Sequence, residues 1–436
     1  MIVKYSLKCC GCGYSATDSG YQIYCPSCGK DAFLRTVYRD QLVPVGDDAD
    51  FAAYLPWLPF SRLPASVGRG PRMSAFEAPL LGKALGLDDL WVLASAYAPR
   101  QGAEFLTGTF KETEALGVLS RVSEQSSRVL IISSAGNAAR AFLEYGLRTG
   151  LPVIVVAPQK AAPMLQVMSK AHGISPLLIL LADSVYMDAI RFVDAAVAEF
   201  PSELVREGGA FNVARRDAMA VPFLYATRKM GGLPDRYVQA VGSGTGALAA
   251  SEAAIRLQND SQISPRQMAL HLVQNAPFTP MVDAWERGDR QVVHMAEEQT
   301  RTRLQQVAAS VLSNASPPYS LKGGVFDALS ASGGSMVSVS NDEIYSAQGM
   351  ADELLGFRPC EAASAALAGL RKAAKSGGVG RRERVLLHLT GGGLDRLYEE
   401  NRLKPHAPAI VIAPDSPKPA YEAIGRYLNS FESRSM

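Results

Sequence analysis

From about residue 85 onward, short runs of β-branched and other apolar residues alternate with stretches of helical character, and this alternation constrains the fold more than any other feature of the chain. Val129–Ser133 predicts a strand, followed by a helix over Asn137–Thr149. Residues 153–157 predict the next strand, with a helix around 164–172, and Leu177–Leu181 repeats the theme before a helix at 187–199. Residues 237–241, 267–273 and 385–389 are further candidates for buried strands. Strand–helix alternation of this kind calls for parallel sheets covered by helices, an α/β architecture. With 436 residues, 47% of them apolar and 20% charged, the chain has material for two or three domains with buried cores and is not a largely disordered protein.

Residues 1–45 form a separate compositional unit. Five of the six cysteines fall within the first 28 residues. Cys9-x2-Cys12 is followed by Cys25-x2-Cys28, with Gly11, Gly13 and Gly29 at the turns. Two such knuckles suit a tetrahedral zinc ion, because each tight turn aims two thiolates at one centre. A knuckle without its metal and a redox pair are the other readings. Cys10 stands outside the pairs and is not expected to be a ligand. Residues 46–75 carry four prolines and read as an irregular connection, and residues 376–384 read as a solvated Gly/Arg-rich turn.

Four short segments carry possible chemistry. Thr107-Gly-Thr-Phe-Lys-Glu-Thr-Glu114 places Lys111 after a turn at the start of a helix. A lysine there can form a Schiff base if its surroundings lower its pKa, although a solvated surface lysine has the same local sequence. Ser133-Ser-Ala-Gly-Asn-Ala-Ala-Arg140 joins a strand to a helix through small residues. It admits a flat ligand close to the backbone, with Asn137 offering a side-chain hydrogen bond, or simply close helix–strand packing. Gly242-Ser-Gly-Thr-Gly246 follows a strand and precedes an Ala-rich helix, where backbone amides can hold a phosphate. It has neither the spacing of a dinucleotide fingerprint nor a Walker lysine. Leu389-Thr-Gly-Gly-Gly-Leu394 puts Thr390 at the carboxyl end of a strand, the edge at which open α/β sheets bind ligands.

Taken together and in this order, the lysine, the asparagine loop, the glycine loop and the threonine resemble fold-type II pyridoxal-phosphate enzymes (tryptophan synthase β-like), over about residues 75–400. Within that superfamily the chain is similar to the threonine synthase family, some members of which also carry a Cys-rich knuckle. That family usually has Ser-Phe-Lys-Asp-Arg-Gly around its lysine and Asn-Pro-x-Arg further on. This chain has Thr109-Phe-Lys-Glu-Thr-Glu114 and Asn212-Val-Ala-Arg-Arg-Asp217. The departures, with Asn137-Ala-Ala-Arg-Ala-Phe142, Gln239-Ala-Val-Gly-Ser-Gly-Thr-Gly246 and the segment from Pro317 to Leu329, resemble the cysteate synthase branch.

The resemblance implies a zinc-ribbon-like knuckle over 1–45, a large pyridoxal-phosphate-binding α/β domain from 46–111 and 222–436, and a smaller α/β domain over 112–221. It implies that Lys111 carries the cofactor and moves the substrate's α-proton, and that Asn137 bonds the cofactor's 3′ oxygen. Gly242, Ser243, Gly244, Thr245 and Gly246 would hold its phosphate, and Thr390 would meet the pyridine nitrogen. Ser133, Ser134, Ala135 and Gly136 would receive the substrate carboxylate. Arg140 and Arg215, with Arg216 and Lys322, are candidates for holding substrate phosphate and sulfite. The implied reaction is phosphoserine plus sulfite giving cysteate and phosphate, a step towards coenzyme M. Threonine synthesis from phosphohomoserine is the alternative, and a zinc-ribbon binding protein on a catalytically silent scaffold is a third reading. A homo-oligomer is implied by the family analogy.

The remaining features are neutral. A formal net charge of +2 gives no electrostatic case for nucleic acid or anionic membrane, and no apolar run approaches the ~20 residues needed to cross a bilayer. The first residues show no apolar secretory core, so the expected compartment is the cytoplasm. The five histidines lack metal spacing, and His172, His388, Trp57, Trp91, Trp285 and Cys360 read as packing or surface residues.

Overall fold

The computed structural model describes residues 4–18, 20–41, 46, 48–259, 267–400 and 402–435. Two sheets organise the chain. The larger runs in the order Ser335–Val339, Ala269–Asn275, Arg236–Ala240, Arg384–Leu389, Asp89–Ala94, Ser74–Glu77. All neighbours in it are parallel except the edge strand Ser74–Glu77, which is antiparallel. The smaller has the order Leu204–Arg206, Val129–Ser133, Val153–Pro158, Leu177–Leu181, Ile410–Ile412 and is parallel throughout. Strands such as Leu177–Leu181 are buried along their whole length, as parallel strands covered on both faces must be. The large sheet is covered on one side by Glu361–Lys375, whose alanine-rich face lies directly on the strands. Gly369 is required there, because a Cβ would sit 2.3 Å from Val273.

Most strand and helix expectations hold to within a residue or two, including Asn137–Thr149 and the helix that opens at Lys111. Two do not. No helix forms over 164–172. Residues Gln159–Met164 make a 3-10 turn containing Pro163, and the Glu144 carboxylate accepts the N–H groups of Met168 and Ser169. That carboxylate satisfies locally the donors a helix would have used. The end of the chain also departs from the expected division. Ile410–Ile412 pairs with Leu177–Leu181, and Ile424 and Tyr427 of the final helix pack into the same core as Leu177 and Ile179. The last thirty or so residues therefore complete the smaller sheet, because their apolar side chains cover its otherwise bare outer strand. The expected boundary at residue 45 falls within residues 42–45, outside the described residues.

A third, small antiparallel sheet holds Tyr5–Cys9 between Ser15–Ala16 and Leu34–Tyr38. It is fastened to the body by buried ions. Arg216 donates to Glu252 and to the carbonyl of Leu34, and Asp217 accepts from Thr36, Tyr38 and Arg256. Among the described residues no helix is long and apolar enough to cross a membrane.

Candidate active site

Parallel strands deliver their following loops to one edge. The loops after Val129–Ser133, Arg236–Ala240 and Arg384–Leu389 are the asparagine loop, the glycine loop and the Thr390 loop. Phe110, the residue before Lys111, gathers two of them. Its backbone N–H donates to the carbonyl of Thr390 at 3.1 Å, and Thr109 bridges to Gly391. Its ring lies where a Cβ on Gly246 would come within 2.8 Å, so the glycine loop closes against it. The asparagine loop is tied in by Arg140, whose Nη2 donates to the carbonyl of Thr107 and, at 3.3 Å, to Asn137 Oδ1. The four predicted segments thus meet around the stretch Thr107–Phe110, immediately before Lys111.

The glycine loop opens the 15-residue helix Thr245–Asn259, whose first N–H groups have no partner within the helix. Gly244 has φ +76°, in the left-handed region, and Ser243 Oγ and Thr245 Oγ1 lie 2.8 Å apart. Gly242 is covered by the 3-10 turn Ser310–Leu312: a Cβ there would meet the Leu312 carbonyl at 2.8 Å. Val311 of the same turn stands beside Gly136. That turn, absent from the sequence reading, spans the gap between the two loops. Ser133, Ser134, Ala135 and Gly136 are half-buried. The N–H of Ser134 is already donated to Val156, and its hydroxyl accepts from Ala139.

Lys111 is largely buried. Burial pushes its ammonium pKa below the ordinary lysine value, opposed by Glu114, whose Oε2 lies 2.8 Å from Nζ. Glu114 is fully buried and is also paired with Arg215 at 2.8 Å, which in turn holds Glu207 at 2.8 Å. Arg215 was expected to hold a substrate anion. Its two terminal nitrogens are instead committed to buried carboxylates, so its charge is already balanced. Arg216 and Lys322 lie against the knuckle and not at this site, Lys322 through its backbone bond from Phe33 and its side chain beside Gly11. Arg140 is buried and serves mainly to join Thr107 to Asn137, with its Nε left unpartnered. Glu114 and Glu207 were missed in the sequence. Glu114 carries a readable signal, since i and i+3 positions share a helix face. Glu207 becomes visible only through the fold.

Cys360 caps the helix Glu361–Lys375, and its N–H donates to the carbonyl of Gly391, which fixes the turn after Thr390. His388 is buried between Ser95 (2.9 Å) and Tyr237 (2.7 Å), and burial lowers its pKa to about 3, so it is a neutral packing residue.

At the knuckle, the sulfurs of Cys9, Cys12, Cys25 and Cys28 all lie within 4.8 Å of one another. Four sulfurs around an ion at ~2.3 Å would stand about 3.8 Å apart. Cys12 and Cys25 are separated by 3.6 Å, and the N–H of Gly11 points at Cys9 Sγ. Cys10 lies outside the cluster, against Gly323.

Comparison with known proteins agrees with this geometry. Residues 74–391 match the family model described as pyridoxal-phosphate dependent enzyme. The cysteate synthase of Methanoregula boonei is 40% identical over 413 residues, covering 94% of this chain and 95% of the relative. That of Methanoculleus marisnigri is 41% identical over 415 residues, covering 94% of each. The chain belongs to the cysteate synthase family. It is accordingly a pyridoxal-phosphate-dependent enzyme. The cysteate synthase of Methanosarcina acetivorans, at 35% identity, covers 95% of this chain and 98% of the relative. Among solved structures, maize serine racemase superposes with a TM-score of 0.56 at 13% identity, covering 76% of this chain and 91% of that one. A pyridoxal 5′-phosphate-dependent aspartate racemase gives 0.55 at 15%, covering 74% and 92%. At such identities the structures share the fold of this cysteate synthase family member.

Proposed function

We propose that this enzyme replaces the phosphate of O-phospho-L-serine with sulfite, giving L-cysteate and phosphate. The observation that carries the reading is the meeting of the Thr390 loop and the glycine loop on Phe110, beside a lysine whose pKa is lowered by burial.

The residues present fit pyridoxal phosphate. Apart from the N–H of Thr245, which donates to Ser243 Oγ at 3.4 Å, the first N–H groups of the helix Thr245–Asn259 have no partner within the helix and suit a phosphate. Lys111 supplies an amine, and the hydroxyl of Thr109 is buried without a partner. When bound, the cofactor withdraws electrons from the substrate's α-carbon. Residues 242–246 would hold its phosphate, Asn137 would donate to its 3′ oxygen, and the hydroxyl of Thr390 would serve its ring nitrogen. A neutral hydroxyl does not force that nitrogen to carry a proton. Lys111 takes the α-proton of the substrate and later returns it. The loop of residues 133–136 would receive the substrate carboxylate through backbone N–H groups other than that of Ser134, which is donated to Val156. In the net reaction the Cβ–O bond breaks, with its electron pair leaving on phosphate. A C–S bond forms from the sulfur lone pair of sulfite.

We assign the knuckle one structural zinc held by Cys9, Cys12, Cys25 and Cys28, remote from the chemistry. Product identification tests the activity. Phosphoserine with sulfite should yield cysteate and phosphate, and phosphohomoserine should yield no threonine. Threonine from phosphohomoserine, with no cysteate from phosphoserine and sulfite, would reverse the assignment.

A further inference from the structure

A buried chain of charges runs away from Lys111. Nζ of Lys111 meets Glu114 Oε2 at 2.8 Å, Glu114 Oε1 meets Arg215 Nη2 at 2.8 Å, and Arg215 Nη1 meets Glu207 Oε2 at 2.8 Å. Glu114 is fully buried and Glu207 nearly so. The four groups come from three places in the fold. Lys111 and Glu114 lie one turn apart on Lys111–Gln125, Arg215 lies on Val213–Lys229, and Glu207 follows the strand Leu204–Arg206. Tyr186, from the helix Tyr186–Glu199, stands at the rim, its hydroxyl donating to the carbonyl of Ser133 at 3.4 Å.

Resting on the assignment of Lys111 as the cofactor lysine, we propose that Glu114 is its standing counter-charge, and that Arg215 is held between Glu114 and Glu207 instead of binding a substrate anion. The charge balance gives the reason. With Lys111 protonated, two cations and two carboxylates sum to zero. With Lys111 neutral, one negative charge is left over in a site shielded from water. That excess favours uptake of a proton by the lysine amine, whose Nζ lies 2.8 Å from Glu114. The proton taken from the substrate's α-carbon therefore arrives on Nζ beside a partner already in place, with no reorganisation of solvent. Its return to the same carbon restores the starting charges. Glu114 acts through Lys111 and is a positioning residue.

The test uses the full chain stripped of cofactor. The rate at which cyanate carbamylates Lys111, followed by peptide mass analysis across pH, reports the pKa of the amine without any turnover. Glu114→Gln should lower the midpoint by about 1–3 pH units, the range for losing an opposite charge at this distance. Glu114→Asp should restore most of that shift. Arg215→Gln should move the midpoint upward, since a neighbouring positive charge is removed. If Glu114→Gln does not fold, as judged by circular dichroism, the upward shift in Arg215→Gln and the retained midpoint in Glu114→Asp decide the matter. An unmoved midpoint in Glu114→Gln overturns the proposal. So does an Arg215→Gln variant whose KM for phosphoserine rises while its midpoint stays fixed. A borohydride-reducible cofactor absorbance that survives in Lys111→Ala would overturn the underlying lysine assignment as well. Its loss in that variant alongside an unmoved Glu114→Gln midpoint would overturn the role of Glu114 alone.

Discussion

The N–H of Phe110 donates to the carbonyl of Thr390 at 3.1 Å, joining the residue before the candidate cofactor lysine to the end of a strand far along the chain. Gly392 reinforces the contact by donating to the carbonyl of Gly108 at 2.9 Å. Neither bond depends on a side chain, so the register of the lysine segment against the Thr390 loop is set by backbone. The glycines at 108 and 391 let the two strands of chain approach this closely: a Cβ on Gly108 would lie 2.9 Å from the carbonyl of Gly392, and one on Gly391 would lie 3.0 Å from the carbonyl of Gly108.

Lys111→Ala should abolish turnover and the borohydride-reducible visible absorbance of the bound cofactor. The fold should survive, because Glu114 keeps its ion pair with Arg215 when the lysine is gone. Absorbance before and after borohydride, with circular dichroism as the control for folding, checks this. A reducible chromophore persisting in the variant would assign the cofactor to another lysine.

Gly244→Ala should weaken cofactor binding. The residue sits at φ +76°, where an L side chain costs roughly 1–2 kcal/mol, and its Cβ would fall 2.4 Å from Val325. Moving the loop away from Val325 also displaces the amides at the helix start. A loss of about tenfold or more in cofactor affinity follows from a cost above ~1.4 kcal/mol. Equilibrium titration of the stripped protein with pyridoxal phosphate measures it, and an affinity equal to wild type would mean the loop does not hold the phosphate.

The segments that meet here were legible because each is a contiguous motif. A lysine after a turn, a run of small residues and a Gly-Ser-Gly-Thr-Gly loop each announce a backbone geometry by themselves. The misread parts depend on partners distant in sequence. Arg215 looks like a free cation beside Arg216, yet the helix sends one to Glu114 and Glu207 and the other to Glu252. Residues 164–172 have helical composition, but Glu144 binds their amides from another helix. The final strand has only three residues, Ile410–Ile412, and nothing in so short a run reveals which sheet edge it completes.

Removal of the knuckle metal should destabilise the protein while leaving the cofactor spectrum nearly unchanged. The four sulfurs are gathered where the small sheet packs on the body, through Leu7, Leu34 and Val213. A structural ion there contributes its binding energy to folding. Cys25→Ser should lose the ion and about 4 kcal/mol or more of stability. Elemental analysis of chelator-free preparations, paired with thermal unfolding, provides the measurement, and protein free of zinc with wild-type stability would eliminate the site.

Glu112, beside the lysine, should make stability fall as pH rises. Burial pushes its carboxyl up from 4.5 to about 7, and nearby Glu144 adds to this against the opposing hydrogen bonds from Thr107. Between about pH 4.5 and 7 the folded protein therefore binds more protons at this site than the unfolded chain does. Unfolding then releases protons, so the contribution of Glu112 to stability declines through that window and stays low above it. A shift of this size corresponds to at most about 3 kcal/mol. Glu112→Gln imitates the protonated carboxyl, retaining an oxygen for the Thr107 N–H and a group for the Tyr145 hydroxyl at 3.1 Å. The variant should match wild type near pH 5 and exceed it near pH 8, flattening the profile between them. Guanidinium unfolding at the two pH values measures the difference. Parallel profiles for the two proteins would mean that Glu112 is ionised throughout and that its hydrogen bonds outweigh burial.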